Sequence, residues 1–388
     1  MKILVTGAKG FVGKNLCENL KNIKDGKNRC YPELKIDEIY EADVDTADDI
    51  LENYCKCCDF VFHLAGVNRP QNNDEFTLGN VNALEKVLGF LKAYGNKASV
   101  MLSSSIQASG VGRYKDSPYG ESKLKGEELL FSYSEENNVP VFVYRFPNLF
   151  GKWCRPNYNS AVATWCYNRA RNLDIQVRDR DADVTLVYID DVVRAFVGNI
   201  TSNLEAPVDS VISITPSYTR RLGEIVDLIE DFKNEPLSLD VPNQGDDFCK
   251  KLYATFLSYL PEDAFSYPLT MHCDNRGSFT EALHSSERGQ VSVNISKPGI
   301  TKGQHWHHTK HEKFLVVSGN GVIRFRRVDL PNGDVLSYFV SGEKLEVVRI
   351  PPGYVHNIEN LGDTDMVTLM WANEVFDPAN PDTFRADV

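Results

Sequence analysis

The apolar pattern of this chain changes its period once, and no other feature restricts the fold as strongly. Through the first third, short apolar runs alternate with helical stretches, the signature of a parallel sheet covered by helices. Residues 3–6, 38–41, 60–64, 99–103 and 141–145 read as strands, with helices over 10–22, 80–94 and 119–137 between them. From Gly277 onward the texture becomes short alternating strands, over 290–295, 312–317, 322–328, 336–340, 345–350 and 366–371. Turn signals such as Pro298-Gly299, Gly319-Asn320-Gly321 and Asn332-Gly333-Asp334 separate them, as in an antiparallel barrel or jelly roll. The sequence therefore predicts a doubly wound α/β domain over residues 1–260 and an all-β domain over 261–388.

The 388 residues suit two cores at about 100–200 residues per domain. Between the two patterns, helical stretches over 161–171, 190–199 and 222–233 read as a substrate-covering lobe. A polar, proline-bearing stretch over 234–244 then precedes a helical segment ending near Leu260-Pro261, read as the tail of the first domain and the linker.

Hydrophobic residues at 42% and charged ones at 25% describe a soluble globular protein. Neither an apolar run of about 18 residues nor a signal-peptide pattern is present, so no membrane insertion and a cytoplasmic location are expected. The net charge of −12 excludes a phosphate-backbone binder, so no nucleic-acid partner is expected and an anionic substrate must be held by local groups. The nine cysteines are odd in number, and Cys55-Lys56-Cys57-Cys58 lacks a second cluster at zinc-site spacing. Reduced thiols on a helix end are expected there.

In Gly7-Ala8-Lys9-Gly10-Phe11-Val12-Gly13, a glycine turn follows the first strand and opens a helix. Gly7 makes the tight turn, Gly10 lets backbone approach a pyrophosphate, and the helix N-terminus offers free N–H groups to it. Tyr119 and Lys123, four residues apart, share one helical face. A lysine so placed can lower the phenol pKa and hold a nicotinamide ribose while the tyrosine protonates a carbonyl. Upstream, Ser103-Ser104-Ser105 ends a strand, where doubly wound sheets place ligands, and a hydroxyl there can orient the same carbonyl. Asp43, ending the second strand, suits an adenosine ribose and favours NADH, whereas Lys9 and Lys14 suit the 2′-phosphate of NADPH.

Together with His63-Leu64-Ala65-Gly66 and Arg145-Phe146-Pro147-Asn148-Leu149-Phe150-Gly151, these motifs resemble the extended short-chain dehydrogenase/reductase family, with its Rossmann-like sheet, over residues 1–235. The resemblance implies Ser105, Tyr119 and Lys123 as the catalytic trio, with Ser104 a near-equal alternative to Ser105. It also implies coenzyme contacts from Gly7, Lys9, Gly10, Phe11, Val12, Gly13, Asp43, Leu64, Ala65, Gly66, Tyr119, Lys123 and Pro147, and a substrate contact from Asn148. The chain departs from the family in its short serine-to-tyrosine interval and in its abrupt passage from the second strand to the helix at 47–54.

Five of the eight histidines fall between 305 and 356. On a strand, His305 and His307 point to one face. Glu312 begins the next strand, and His356 follows Pro351-Pro352-Gly353-Tyr354-Val355. Three imidazoles and a carboxylate make a good divalent-metal set with room for substrate or water. Gly299, His305, His307, Glu312 and Gly319, with Pro351, Gly353, His356 and Asn360, match the cupin pattern. Leu345 stands where its second motif usually begins with glycine. His308 and His311 fall out of phase with the ligands or in the turn. Arg324, Arg326 and Arg327 suit either a phosphate or an exposed strand face.

A reductase followed by a metal cupin resembles the bifunctional capsular-polysaccharide enzymes on the route to UDP-N-acetyl-L-fucosamine. Gly66-Val67-Asn68-Arg69-Pro70, Lys152-Trp153-Cys154 and Arg276-Gly277-Ser278-Phe279-Thr280-Glu281 carry the likeness. That resemblance implies a homodimer acting on a UDP-2-acetamido-2,6-dideoxy-4-hexulose. The cupin epimerises C3 with Zn2+, and the reductase then reduces C4 with NADPH to UDP-2-acetamido-2,6-dideoxy-L-talose. A proton at C3 is acidic only while C4 is a ketone, so epimerisation must come first. Lys302, His308, His311, Tyr338 and Tyr354 have side chains suited to carry that proton. Two alternatives remain: a cupin that only binds sugar or dimerises, and a cupin that holds iron as an oxygenase.

Overall fold

Ile3, Leu4 and Val5 are successive and all fully buried, although successive strand residues point to opposite faces. Only a sheet covered on both sides allows this. In this computed structural model, which describes residues 1–70, 72, 74–201 and 211–388, they lie in β1 (Lys2–Thr6). The chain divides into two units, Met1–Glu230 with Asp246–Pro261 and Asp231–Gly245 with Glu262–Val388.

The first unit holds a six-stranded parallel sheet in the order β2 (Glu38–Ala42), β1, β3 (Phe60–His63), β4 (Ser99–Ser105), β5 (Val141–Phe146) and β8 (Val211–Ile212). Ile3 and Val5 pack toward α1 (Phe11–Lys24) and α7 (Ile189–Thr201). Leu4 packs toward α2 (Asp48–Cys57), α4 (Ala83–Ala93) and α5 (Pro118–Asn137). Ahead of α4, the short α3 (Asp74–Phe76) runs into a π-helical turn, Thr77–Asn82. The strand order reverses between β1 and β3, which opens a crevice above their carboxyl ends. A lobe of β6 (Asn148–Phe150), β7 (Asp183–Tyr188), β9 (Tyr218–Arg221), α6 (Ala161–Ala170) and α9 (Asp247–Leu257) completes the unit. Helix α8 (Leu222–Ser238) runs from the first unit into the second.

The second unit is a cupin-like pair of antiparallel sheets. One is ordered β10 (Met271–Asp274), β11 (Gly277–Ser285), β12 (Gly289–Ser296), β19 (Met366–Ala372), β14 (Glu312–Ser318) and β17 (Val347–Ile350). The other is ordered β16 (Leu336–Ser341), β15 (Asn320–Arg327), β18 (Tyr354–Asn360), β13 (Thr301–Trp306) and β20 (Phe384–Arg385). Phe314, Val316, Ile323, Phe325, Val348, Ile350, Ile358 and Met366 form its core. On β12 the buried positions are Gln290, Ser292, Asn294 and Ser296, so one side of the interior is polar.

Part of the stretch expected as a linker is paired backbone. His284 N–H donates to the Leu239 carbonyl and Val241 N–H to the His284 carbonyl, each at 2.8 Å, so the segment extends the edge at β11. Unpaired strand-edge amides are costly to leave open, which favours this docking. None of the nine cysteines forms a disulfide, and Cys55 and Cys58 are buried at the end of α2.

Candidate active site and candidate metal centre

The glycine turn meets β3 at the switch point. Gly7 has φ +68°, and a Cβ there would lie 2.7 Å from the Ala65 nitrogen. A Cβ on Gly13 would collide with the Gly7 carbonyl, so this third glycine sets how closely α1 approaches the turn. Helix α1 begins at Gly10 without a side-chain cap, leaving its first amides directed into the crevice. The Asp43 carboxylate accepts from the backbone N–H of Lys9 at 2.7 Å and of Val44 at 2.8 Å. Lys9 Nζ pairs with Asp45.

Helix α5 is started by Pro118 in its first turn and by Ser117, whose hydroxyl accepts from the Gly120 N–H at 3.2 Å. This fixes Tyr119 in the first turn, with its ring 5.6 Å from that of Phe76. Burial pushes the Tyr119 phenol up to about 12, with the Ser105 hydroxyl pulling the other way. Lys123 is fully enclosed, and burial brings its amine down to about 8 against the opposing charge of Glu127. Its ammonium donates to the Ser103 carbonyl at 3.1 Å and stands 5.8 Å from the Tyr119 ring centre. The phenol is therefore not lowered by the lysine in this arrangement. A protonated tyrosine is nevertheless the form a proton donor needs at neutral pH.

The serine run is sorted by strand alternation. Ser104 is turned to the face where its hydroxyl meets Glu127, whereas Ser105 accepts from the Gln107 N–H at 3.2 Å and acts on Tyr119. Asn80, in the π-helical turn, is a residue the sequence did not single out. It clamps Val67 through both backbone groups, at 2.8 and 3.2 Å, and donates to Ser122 at 2.9 Å. Its only sequence signal is a position at the start of a helix facing the Tyr-Lys helix. His63 shares one nitrogen with Thr6 at 3.0 Å, leaves Nε2 without a partner and is brought by burial down to about 3, so its ring is neutral.

A cleft of about 1140 Å³ is lined by every residue expected to contact coenzyme or substrate in this unit except Ala65, together with Ser105. It is also lined by Trp153, from the run that carries the likeness, and by lobe residues that no motif announced, including Arg155, Tyr158, Trp165 and Arg171. Arg155 lies over the Tyr158 ring at 5.3 Å and Arg171 over Tyr167 at 3.8 Å. Arg171 donates to the Tyr259 carbonyl at 2.8 Å.

In the second unit, one potential ligand atom from each of His305, His307, Glu312 and His356 falls within 4.8 Å of all the others. The cross-strand pair His305–His356 brings two imidazoles to one face, and Phe325, opposite His356, has its ring 6.4 Å from that imidazole. His307 Nε2, His356 Nε2 and Glu312 Oε2 are buried without a hydrogen-bond partner; the imidazole nitrogens approach that oxygen to 3.5 and 3.4 Å. Buried polar atoms are rarely left so, and three converging ones fit a divalent cation. Burial pushes the Glu312 carboxyl up, but the imidazoles of His307 and His356 outweigh it and hold it below the usual carboxylate range. Burial brings His305 down to about 4, in the neutral form that ligates metal.

Asp382, unremarkable in the sequence, organises this centre. Its carbonyl accepts from His307 Nδ1, which turns Nε2 toward the cluster. Its carboxylate accepts from the backbone N–H groups of His308 at 2.9 Å, Thr309 at 2.7 Å and Lys310 at 2.8 Å. Lys310, also unforeseen, places its ammonium 3.8 Å from Glu312 Oε1.

Of the proton-carrier candidates, Lys302 donates to Ile295 O at 2.7 Å, Asn294 Oδ1 at 2.9 Å and Ser278 O at 3.3 Å. His308 sits against Trp306 and Phe384, and His311 against Trp371. Tyr338 and Tyr354 both lie edge-on to Phe325, at 5.6 and 6.5 Å. Arg324 pairs with Glu359, Arg326 with two carbonyls and Arg327 with Asp329, as strand-face groups do.

Comparison with known proteins agrees on both halves. The NAD dependent epimerase/dehydratase family matches residues 3–214, and the polysaccharide biosynthesis C-terminal domain matches residues 272–384. The UDP-2-acetamido-2,6-beta-L-arabino-hexul-4-ose reductase of Pseudomonas aeruginosa is 42% identical over 388 residues, covering 100% of this chain and 99% of its own length. The crystal structure of the capsular polysaccharide assembling protein CapF from Staphylococcus aureus matches with a TM-score of 0.89 and 53% identity over 100% of both chains. A UDP-glucuronic acid 4-epimerase from Bacillus cereus shares the fold alone, at a TM-score of 0.52 and 21% identity over 67% of this chain and 99% of its own. The chain therefore belongs to the NAD dependent epimerase/dehydratase family, in the full-length group that joins this domain to a polysaccharide biosynthesis C-terminal domain.

Proposed function

We propose that this chain is a bifunctional nucleotide-sugar enzyme. Its cupin-like unit inverts C3 of a UDP-2-acetamido-2,6-dideoxy-4-hexulose, and its first unit then reduces C4 to give UDP-2-acetamido-2,6-dideoxy-L-talose for surface polysaccharide. The observation that carries this reading is the match to a UDP-keto-sugar reductase across the full chain, because that match spans both sites.

NADPH, when bound along the glycine turn, supplies the hydride for C4. In the reduction, the Tyr119 phenol gives its proton to the C4 oxygen and the Ser105 hydroxyl orients that carbonyl. Lys123, held at the Ser103 carbonyl, supplies positive charge beside the ribose. Arg155 and Arg171 face the diphosphate, which answers how an acidic protein holds an anionic substrate.

Zinc, when held by His305, His307, Glu312 and His356, supplies Lewis acidity at the C4 oxygen, which makes the C3 proton removable. The carbonyl of Asp382 keeps His307 in the tautomer that presents Nε2. Tyr338 and Tyr354 lie edge-on to Phe325, the register partner of His356, which supports these two phenols as carriers of the C3 proton. Nine cysteines without a disulfide support action in a reducing compartment such as the cytoplasm. Exposed Phe339, Leu345 and Val347 on the second unit support the homodimer.

Incubation with the keto-sugar in deuterated water tests the reading. Deuterium should enter C3 without coenzyme, and a reduced product should form only when NADPH is added. Reduction without any exchange at C3 would leave the cupin-like unit as a binding module.

A further inference from the structure

Behind the Tyr-Lys face of α5 lies a buried charged cluster that no motif announced. Glu127 stands one helical turn beyond Lys123, and its side chain is 2% exposed. Its Oε1 accepts from the Ser104 hydroxyl and from Arg145 Nε at 2.9 Å, and its Oε2 accepts from Arg145 Nη2 at 2.6 Å. Ser104 and Arg145 are register partners on the neighbouring parallel strands β4 and β5. One carboxylate therefore joins α5 to two strands at once.

On β4 the cluster sits one residue from each of the two serines that touch the reduction site. Ser104 is flanked by Ser103, whose carbonyl receives the Lys123 ammonium, and by Ser105, whose hydroxyl acts on Tyr119. We propose that Ser104, Glu127 and Arg145 form a positioning triad that sets the β4 serines against the Tyr119–Lys123 face, and that its carboxylate also stabilises the charged state of Lys123. This rests on the reading of Tyr119 and Lys123 as the reduction site.

A buried carboxylate with a bidentate arginine is expensive to assemble and gives geometry in return, since its hydrogen bonds are directional. The groups facing Lys123 are Tyr119 and Glu127 on its own helix, Ser103 on β4, Asn80 in the π-helical turn and His63 on β3, with Arg145 on β5 behind Glu127. His63 is neutral, so the carboxylate is the nearby charge that favours the ammonium. Charged lysine is the form present below its pKa. A rate that needs it falls as pH rises through that value, and loss of Glu127 must move that fall to lower pH.

The test follows NADPH oxidation by the full-length protein with the keto-sugar from about pH 6 to about pH 9.5. Ser104→Ala should lower kcat about threefold to tenfold and leave the alkaline limb in place, because the carboxylate charge remains. Glu127→Gln should lower kcat about tenfold to a hundredfold and shift the alkaline limb to lower pH, with the KM for the sugar within about twofold. Arg145→Lys should recover part of the loss. If Glu127→Gln does not fold, Glu127→Gln with Arg145→Gln leaves no unpaired buried charge and must move the limb in the same direction, by less because the arginine charge is removed with the carboxylate. A folded variant with wild-type kcat and an unmoved limb overturns the proposal, as does a loss of rate with the limb unmoved in every variant lacking the carboxylate. Tyr119→Phe separates the two levels: if it still oxidises NADPH, the reading of the reduction site fails, whatever the triad does.

Discussion

The two sites solve opposite problems. The candidate reduction cleft draws on residues from Gly7 to Leu260, spread over strand ends, a helix turn and the lobe, around about 1140 Å³. Its polar groups are mostly satisfied within the protein: Asp43 by backbone amides, Lys123 by the Ser103 carbonyl, Asn80 by Val67 and Ser122. The four residues of the candidate metal centre converge within 4.8 Å, and three of their buried atoms have no hydrogen-bond partner. A site for a large dinucleotide and sugar exchanges existing hydrogen bonds for new ones. A site for a small cation must hold its lone pairs in reserve, because an ion leaves no room for a water network.

The comparison can be broken most forcefully at the metal ligands. His305→Ala or Glu312→Gln should reduce bound zinc from about one per chain to near zero and abolish C3 exchange, by at least about a hundredfold, measured by metal analysis and proton NMR in deuterated water. An unchanged exchange rate would make the centre structural. Tyr119→Phe should slow NADPH oxidation about 10²- to 10⁴-fold while exchange at C3 persists, which checks that the sites work separately. If both activities disappear in a folded variant, the two-site assignment is wrong.

Smaller effects sharpen the contrast. Asp382→Ala, which removes the cap on the turn after His307, should weaken zinc affinity about tenfold to a hundredfold in competition with a chelator, leaving NADPH binding unchanged. Arg155→Gln should raise the KM for the UDP-sugar about tenfold with little change in kcat, as expected for binding felt equally in ground and transition states. A fall in kcat alone would remove Arg155 from the diphosphate.

Local spacing made some of this legible. Gly7, Gly10 and Gly13 carry a turn whose geometry is set within seven residues. Tyr119 and Lys123 share a face because helical period places them there, and His305 and His307 share one because strand period does. The all-β pattern was read from turn signals, but β11 and β18 were not picked out, since their alternation is interrupted by polar inward positions such as Asn360 and Thr280. Asn80, Glu127, Lys310 and Asp382 escaped notice because single polar residues have no period. What marks each is a partner, 74 residues away for Asp382 and His308.

Spacing within one or two adjacent elements is enough to make the two architectures, the glycine turn, the Tyr119–Lys123 pair and the grouping of His305, His307, Glu312 and His356 legible in the sequence. Only the tertiary structure decided which serine faces Tyr119. Ser104 and Ser105 are chemically equal in the sequence, and β4 turns one toward Glu127 on α5 and the other toward Tyr119. It also decided that the stretch after α8 pairs with His284 instead of linking. Both outcomes rest on hydrogen bonds between residues far apart in the chain, and a buried donor or acceptor finds its partner only after the chain has folded.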